Sequence, residues 1–268
     1  MVISGRRTLI TGGTSGIGLA TARALGLAGA RVFISGRREA NLSDALASLR
    51  AEGIRAEGIA ADVTSDEQRA AMLAAAVDSM QGLDILVNNA GGVRAGRLEL
   101  TEEKDIRAMV EVNLIAPILL TRAALPLLRA SGDGLVVNVA SGIALVGMPF
   151  YTTYAGVKAG ISHFGEALRR ELKGEGVHVL TVYPGATETP MMSSSRAGPA
   201  QGFVRESAAD VAQAIVGGIE EGAYQVIRGG EARAQMIRMN REDPAALDEK
   251  FQGMKSVLDD AVKDHSTF

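Results

Sequence analysis

The chain has 268 residues, three histidines, no cysteine and a formal net charge of −3. That length can bury a full core in one α/β domain, and the absence of cysteine excludes disulfides, thiol catalysis and cysteine-ligated zinc. The arginines come as scattered pairs (Arg6-Arg7, Arg37-Arg38, Arg169-Arg170) without a basic stripe interleaved with aromatics, which argues against nucleic acid as a partner.

From residue 7 to about residue 228, short β-branched runs alternate with longer helical patterns, the signature of βαβ units around a parallel sheet. Seven strands are predicted at residues 7–11, 31–35, 54–60, 85–88, 135–140, 177–183 and 224–227, with helices at 17–28, 39–52, 66–80, 102–130, 152–173 and 208–221. Right-handed crossovers then put helices on both faces of a doubly wound, Rossmann-type sheet. Hydroxyls are expected to cap two helices, Ser65 before Asp66-Glu67 and Thr101 before Glu102-Glu103.

The stretch 189–206 is rich in Ser, Gly, Ala and Met, lacks periodicity and follows the sixth strand, where a mobile segment over a site is expected. Residues 229–268 form a helical extension to the 1–228 domain. In it Asp243-Pro244 reads as a cap and first turn, and Leu247, Phe251, Met254, Leu258 and Val262 share one face. Some forty residues make little core alone, so this helix should dock on its own domain or on a twin subunit. The apolar run after Arg6-Arg7 is too short for a signal-peptide core, and the longest apolar stretch, 114–120, is far below the ~20 residues that span a bilayer. A soluble, cytoplasmic protein is the expectation.

Between the first strand and the first helix lie Thr11, Gly12, Gly13, Thr14, Ser15, Gly16, Ile17 and Gly18. Glycines there either make a tight turn or let backbone N–H groups reach a pyrophosphate at the helix N-terminus. The spacing is G-x-x-x-G-x-G, which differs from the G-x-G-x-x-G fingerprint. After the second strand, where NAD-binding sheets usually carry an acid, stands Ser35-Gly36-Arg37-Arg38. No carboxylate is available, glycine leaves room for a 2′-phosphate and arginine offers a fork of donors, so NADP(H) is favoured and NAD(H) is the alternative. The alternative is a solvated arginine pair opening a helix, which suits Arg38 better than Arg37. Asp62-Val63, after the third strand, either receives an adenine amino group or forms a strand-end turn.

Tyr154 and Lys158, four apart on one helix, share a face. A free phenol titrates near pH ~10, so poising it near neutrality takes about 4 kcal/mol of preference for phenolate, which a lysine cation and an oxidised nicotinamide would supply. Ser141, ending the fifth strand, could hold a substrate oxygen beside that phenol. Taken alone, the pair also fits an amphipathic helix surface. His163, His178 and His265 lack ligand spacing, so no metal site is expected, and no G-x-S-x-G elbow occurs.

With these motifs in order, the chain resembles the short-chain dehydrogenase/reductase family over roughly residues 5–228. The resemblance rests on the glycine turn, on Asn88-Asn89-Ala90-Gly91 after the fourth strand, on Asn113, and on Ser141, Tyr154 and Lys158. It implies that Tyr154 is the general acid or base, and that Lys158 lowers its pKa and binds the nicotinamide ribose. Ser141 would orient the carbonyl and Asn113 would hold a relay water. Asn89, Ala90 and Gly91 would border the adenosine ribose. Pro184-Gly185 would lie under the nicotinamide, with Thr187 and Thr189 near its carboxamide and phosphates. Tyr183 before Pro184, and Thr187 in place of an aliphatic residue, depart from the family pattern.

The stretch 142–150, including Gly142, Met148 and Phe150, together with Met191 and Met192, would border a mostly apolar pocket. The expected activity is NADP(H)-dependent transfer of a hydride to an apolar ketone or aldehyde, or from a secondary alcohol. An NAD-dependent alcohol dehydrogenase and a non-catalytic dinucleotide-sensing scaffold are the alternatives. The resemblance also implies a homodimer or homotetramer built through the two long helices.

Overall fold

The computed structural model describes residues 1–198 and 204–268. Strands β1 (Arg7–Thr11), β2 (Arg31–Gly36), β3 (Ala56–Ala60), β4 (Ile85–Asn88), β5 (Gly134–Val139) and β6 (Val177–Tyr183) alternate with α1 (Gly16–Leu27), α2 (Glu39–Ala51), α3 (Asp66–Met80), α4 (Glu103–Val110), α5 (Ala116–Ala130) and α6 (Thr152–Glu171). Then follow β7 (Thr187–Glu188), β8 (Glu206–Ser207), α7 (Ala208–Glu220), β9 (Gln225–Ile227), α8 (Gly230–Glu242) and α9 (Pro244–Val262). The main sheet has the order β3-β2-β1-β4-β5-β6-β9 and every pairing in it is parallel.

The period of two along each strand sorts the core into two layers. Ile10, Val87, Val137 and Leu180 face α1, α2 and α7, where they meet Leu25, Leu49 and Ile215. Their neighbours Leu9, Leu86, Val136 and Val179 face the other way, onto Met72, Leu120 and Leu168 of α3, α5 and α6. Leu9, Ile10, Leu86 and Val87 are fully buried. Each such side chain contributes about 1.5–3 kcal/mol by leaving water.

Because β1 sits beside both β2 and β4, the connections diverge at its carboxyl end, the crevice where open α/β sheets bind ligands. The crevice is tightly cross-linked. Thr11 Oγ1 accepts from the backbone N–H groups of Asn89 and Ala90 (3.1 Å each), and Asn89 Nδ2 donates to the carbonyls of Thr11 and Gly12 (3.0 and 3.1 Å). Asn88 Nδ2 donates to Asn138 Oδ1 on β5 and to Thr121 Oγ1 on α5, both at 2.9 Å, so this asparagine braces the central sheet.

Three features differ from the sequence expectations. Helix 103–130 is continuous but contains a π turn at Glu111–Ile115, so its register shifts around Asn113. By length and composition it could cross a bilayer, unlike the short run 114–120; its Ala116, Leu120, Ala124 and Leu128 lie in the core against the sheet. Thr101 is not its cap: the hydroxyl donates to the Arg97 carbonyl, and Glu102 takes the N-cap position. Ser65 does cap α3, accepting from Gln68 N at 3.3 Å.

Between Pro184 and α7 the stretch 189–206 contributes Glu206 to a two-stranded parallel pair, β7 with β8, while 199–203 lie outside the described residues. In the tail, Asp243 Oδ1 caps α9 by accepting from Ala246 N at 3.1 Å. Leu258 and Val262 are buried with Val93, Phe150 and Tyr151 of the main domain, and Leu247 and Phe251 with Val146. Helix α8 precedes it, with Met236, Ile237 and Met239 as its inward side chains.

Candidate active site

A cavity of about 1010 Å³ runs along the carboxyl ends of the strands. It is at the upper end of the range for small-molecule sites. Gly12, Thr14, Ser15, Gly16 and Ile17 line it, as do Arg37, Arg38, Asp62 and Val63, then Asn89, Ala90 and Gly91, then Ser141, Tyr154 and Lys158, then Pro184, Gly185, Thr187 and Thr189. Met148, Met191 and Met192 line the same cavity. Residues as far apart in sequence as Gly12 and Met192 therefore share one cleft.

Four residues read from the sequence stand behind the wall. Gly18 is a packing position: a Cβ there would stand 2.2 Å from the Gly12 carbonyl oxygen and 2.4 Å from Asn89 Nδ2, so only glycine lets α1 close on the crevice. Gly142 lies beneath the Arg233 guanidinium, which donates to its carbonyl at 3.1 Å. Phe150 is buried with φ of 67° in a cluster with Val93, Tyr151 and Leu258, so it supports the pocket from outside. Asn113, buried in the π turn, donates from Nδ2 to the carbonyls of Gly92 (2.8 Å) and Met109 (2.9 Å) and accepts from Gly92 N at Oδ1 (3.4 Å). A π turn leaves a helix carbonyl to find another donor, and the Asn113 amide serves Met109 in this way.

The glycine turn fits a dinucleotide. Helix α1 has Ser15 at its N-cap with no side-chain hydrogen bond and no acid in its first turn, so its N–H groups and positive dipole end remain open to an anion. Gly12 and Gly16 have φ of 64° and 52°, and a Cβ on Gly12 would stand 2.9 Å from Ala90 Cα. Side chains would fill this cradle. At the end of β2, Arg37 is exposed and forms no ion pair among the described residues. Asp62 makes the strand-end turn, its Oδ1 accepting from Thr64 N and Oγ1 (2.9 and 2.8 Å), while also lining the cavity.

At the other end, the Ser141 hydroxyl lies close enough to the Tyr154 phenol to oppose the rise in its pKa, and it accepts from Ile143 N at 3.3 Å. Lys158 is 5% exposed, its Nζ 5.7 Å from the Tyr154 ring centroid and 3.1 Å from the Val139 carbonyl it donates to. A Cβ on Gly91 would stand 2.7 Å from Asn113 Oδ1 and 3.5 Å from Lys158 Nζ, so a bare backbone separates these two groups.

The protein's own electrostatics differ from the expected lowering of the phenol pKa. Burial raises Tyr154 well above the ordinary tyrosine value, outweighing the opposing influence of Ser141, and nearby Tyr151 adds to the rise. Burial also lowers Lys158 to about 8. The cation that was to stabilise a phenolate is therefore itself weakened by lack of solvent.

Sequence reasoning missed the wall supplied by the tail: Arg233 and Met236 of α8, Lys250, Phe251 and Met254 of α9, and His265, Thr267 and Phe268 beyond it. Thr267 N donates to the Val93 carbonyl at 3.0 Å, tying this segment to the loop after β4. The apolar period of α9 was legible, but nothing in it indicated which surface it covers. Tyr183 is outside the cavity: it is 1% exposed and its hydroxyl shares a 2.7 Å hydrogen bond with Ser162.

Residues 6–200 match the family model for short chain dehydrogenases. The chain is 41% identical over 192 residues to a short chain dehydrogenase of Pseudocercospora fijiensis, covering 70% of this chain and 62% of that protein. It is 36% identical over 191 residues to the 3-oxoacyl-[acyl-carrier-protein] reductase FabG of Vibrio cholerae, covering 71% and 77%. Among solved structures, a single-substitution variant of actinorhodin polyketide ketoreductase with NADPH aligns with a TM-score of 0.76 and 31% identity over 83% of this chain and 95% of that one. A 3-ketoacyl-(acyl-carrier-protein) reductase from Brucella melitensis complexed with NADH aligns with a TM-score of 0.76 and 26% identity over 84% and 97%. Fold, cavity and these matches agree, and the chain belongs to the short-chain dehydrogenase family of oxidoreductases.

Proposed function

We propose that the protein is an NADP(H)-dependent reductase of apolar ketones or aldehydes. The observation that carries this reading is the convergence of Ser141, Tyr154 and Lys158 on one cavity that Arg37 and Arg38 also line, with Lys158 Nζ 5.7 Å from the Tyr154 ring centroid. The bound nicotinamide supplies or accepts the hydride. Everything else is done by the chain. The uncapped N-terminus of α1 holds the pyrophosphate, Arg37 grips the 2′-phosphate, and Lys158 holds the nicotinamide ribose.

Ser141 donates to the carbonyl oxygen and Tyr154 delivers the proton to it. The raised pKa of the phenol keeps that proton in place until the oxygen becomes basic, which suits reduction better than oxidation. Asn113 holds a relay water through Oδ1, because its amide hydrogens are committed to Gly92 and Met109. Exposed Ile115 beside half-buried Leu114 and Ile118 on helix 103–130 favours association of two copies through this surface.

The experiment is a titration with NADPH and with NADH, followed by a panel of apolar ketones and aldehydes, in the wild type and in Arg37→Asp. NADPH affinity should fall by about tenfold or more in the variant, with NADH affinity nearly unchanged. Equal losses for both cofactors would remove Arg37 from the 2′-phosphate site and favour an NAD-linked alcohol dehydrogenase. Binding without turnover on any carbonyl would favour a dinucleotide-sensing scaffold.

A further inference from the structure

Two arginines line the cavity near the start of α8, and the structure treats them differently. Arg228 Nε donates to Glu206 Oε2 at 2.8 Å, and Oε1 of the same carboxylate accepts from Gly185 N at 3.2 Å. Its charge is neutralised and used to brace the turn at Pro184-Gly185. Arg233, in contrast, forms no ion pair among the described residues, and its hydrogen bond is from Nη1 to the Gly142 carbonyl. A guanidinium carries five N–H donors, so most of this one remains unengaged by the protein.

The surroundings make that vacancy of counter-charge costly. Burial holds the Arg233 pKa below its ordinary value. Met236, one turn further along α8, and Phe251 and Met254 of α9 line the same cavity and give the guanidinium apolar neighbours in place of part of its water. A half-buried cation without a partner is stabilised by an anion that arrives with a ligand. The position of the cation also matters. A Cβ on Gly142 would stand 2.7 Å from Arg233 Cζ, and Gly142 directly follows Ser141.

We propose that Arg233 is the anion-binding residue of the substrate pocket, and that the substrate is a ketone with an apolar chain and a carboxylate a few bonds from the carbonyl. The inference rests on the reductase reading above. Consecutive Cα atoms are about 3.8 Å apart, so the carbonyl subsite at Ser141 and the anion subsite at Arg233 are neighbours. A short oxo acid reaches both; a phosphate at the far end of a long thioester arm does not. The fork of donors suits a carboxylate. Arg205 also lines the cavity, but its Nη2 is committed to the carbonyls of Ser195 (3.0 Å) and Ala197 (3.2 Å).

The test compares medium-chain oxo acids with their methyl esters as substrates for NADPH oxidation. The wild type should favour the acid by about tenfold or more in kcat/KM. Arg233→Met should bring the ratio near one, and Arg233→Lys should restore part of it. Arg205→Met should keep the ratio. Equal values for acid and ester in the wild type, or a collapse caused by Arg205→Met and not by Arg233→Met, would overturn the assignment.

Calorimetric titration of decanoate into the protein with NADP⁺ provides a readout independent of turnover. Binding that is lost in Arg233→Met supports the anion site even where neither acid nor ester is reduced, in which case the reductase reading alone fails. Binding indifferent to Arg233 overturns the inference.

Discussion

The crevice between β1 and β4 and the wall built by the tail form two sides of one cavity by opposite means. The crevice is shaped by backbone: Gly12 and Gly18 bring chain against chain, and the Asn89 amide bonds two main-chain carbonyls. The tail wall is shaped by side chains such as Met236, Phe251 and Met254, carried on helices that follow the last strand of the sheet. Backbone geometry tolerates one residue type at a position, whereas an apolar wall accepts many side chains of similar volume. The account therefore assigns cofactor binding to the first region and substrate choice to the second, and each variant below tests that division.

The largest effect on cofactor affinity is expected from Gly18→Ala. Its Cβ would fall 2.2 Å from the Gly12 carbonyl oxygen, a backbone atom that moves only with the crevice. Thermal unfolding should show a loss of about 3 kcal/mol, and NADPH titration a matching loss of affinity. An unchanged Tm and affinity would show that the crevice is softer than its contacts imply.

Leu258→Ala acts on the other region. Leu258 is fully buried with Val93, Phe150 and Tyr151. Its truncation should cost about 2–5 kcal/mol. If the division holds, KM for a ketone rises while NADPH affinity is kept; loss of NADPH affinity to the same extent would merge the two regions into one.

His265 sharpens the comparison through pH. It is 1% exposed, its Nδ1 shares a 3.0 Å hydrogen bond with Ser194 Oγ, and it faces the Tyr151 ring. Burial, with Arg205 and Arg94 nearby, lowers its pKa from 6.5 to about 4. The unfolded chain then binds a proton that the folded chain refuses. Stability is fully present above pH 6.5 and falls as the pH drops toward 4, by up to about 3 kcal/mol. Denaturant midpoints at pH 7 and pH 5 should differ in the wild type and converge in His265→Gln; the same difference in both would clear His265 of the effect.

The smallest change in stability is expected from Lys158→Met. The folded pKa of about 8 lies below the ordinary 10.5, so the buried ammonium opposes folding at neutral pH and stability rises as the pH climbs through that window. The variant should lose turnover while its Tm stays at or above that of the wild type. A large drop in Tm would show that Lys158 holds the fold together.

The same division explains what the sequence revealed. The strands were legible because β-branched runs alternate with amphipathic helices, and the glycine turn because few residue types satisfy its φ angles and close approaches. Ser141, Tyr154 and Lys158 were recognisable by order and spacing. The π turn at Asn113 was less so: its sequence mark is Pro117, which has no N–H to return to the Asn113 carbonyl, in a stretch 103–130 otherwise patterned as one helix. Helix α8 was weakly marked because Met236, Ile237 and Met239 are its main apolar side chains among arginines and glutamates. Arg233 could not be found at all: its significance comes from the missing partner and from Gly142, 91 positions away.

The account's central claim is that Tyr154 delivers a proton to a carbonyl reduced by a bound cofactor. Its most direct test is NADPH oxidation by the wild type and by Tyr154→Phe with the same apolar ketone, with cofactor binding measured in the same samples. The account predicts NADPH affinity within a few-fold and a fall in kcat of about 10²–10⁴-fold. Turnover that survives the substitution with NADPH bound as before would contradict it.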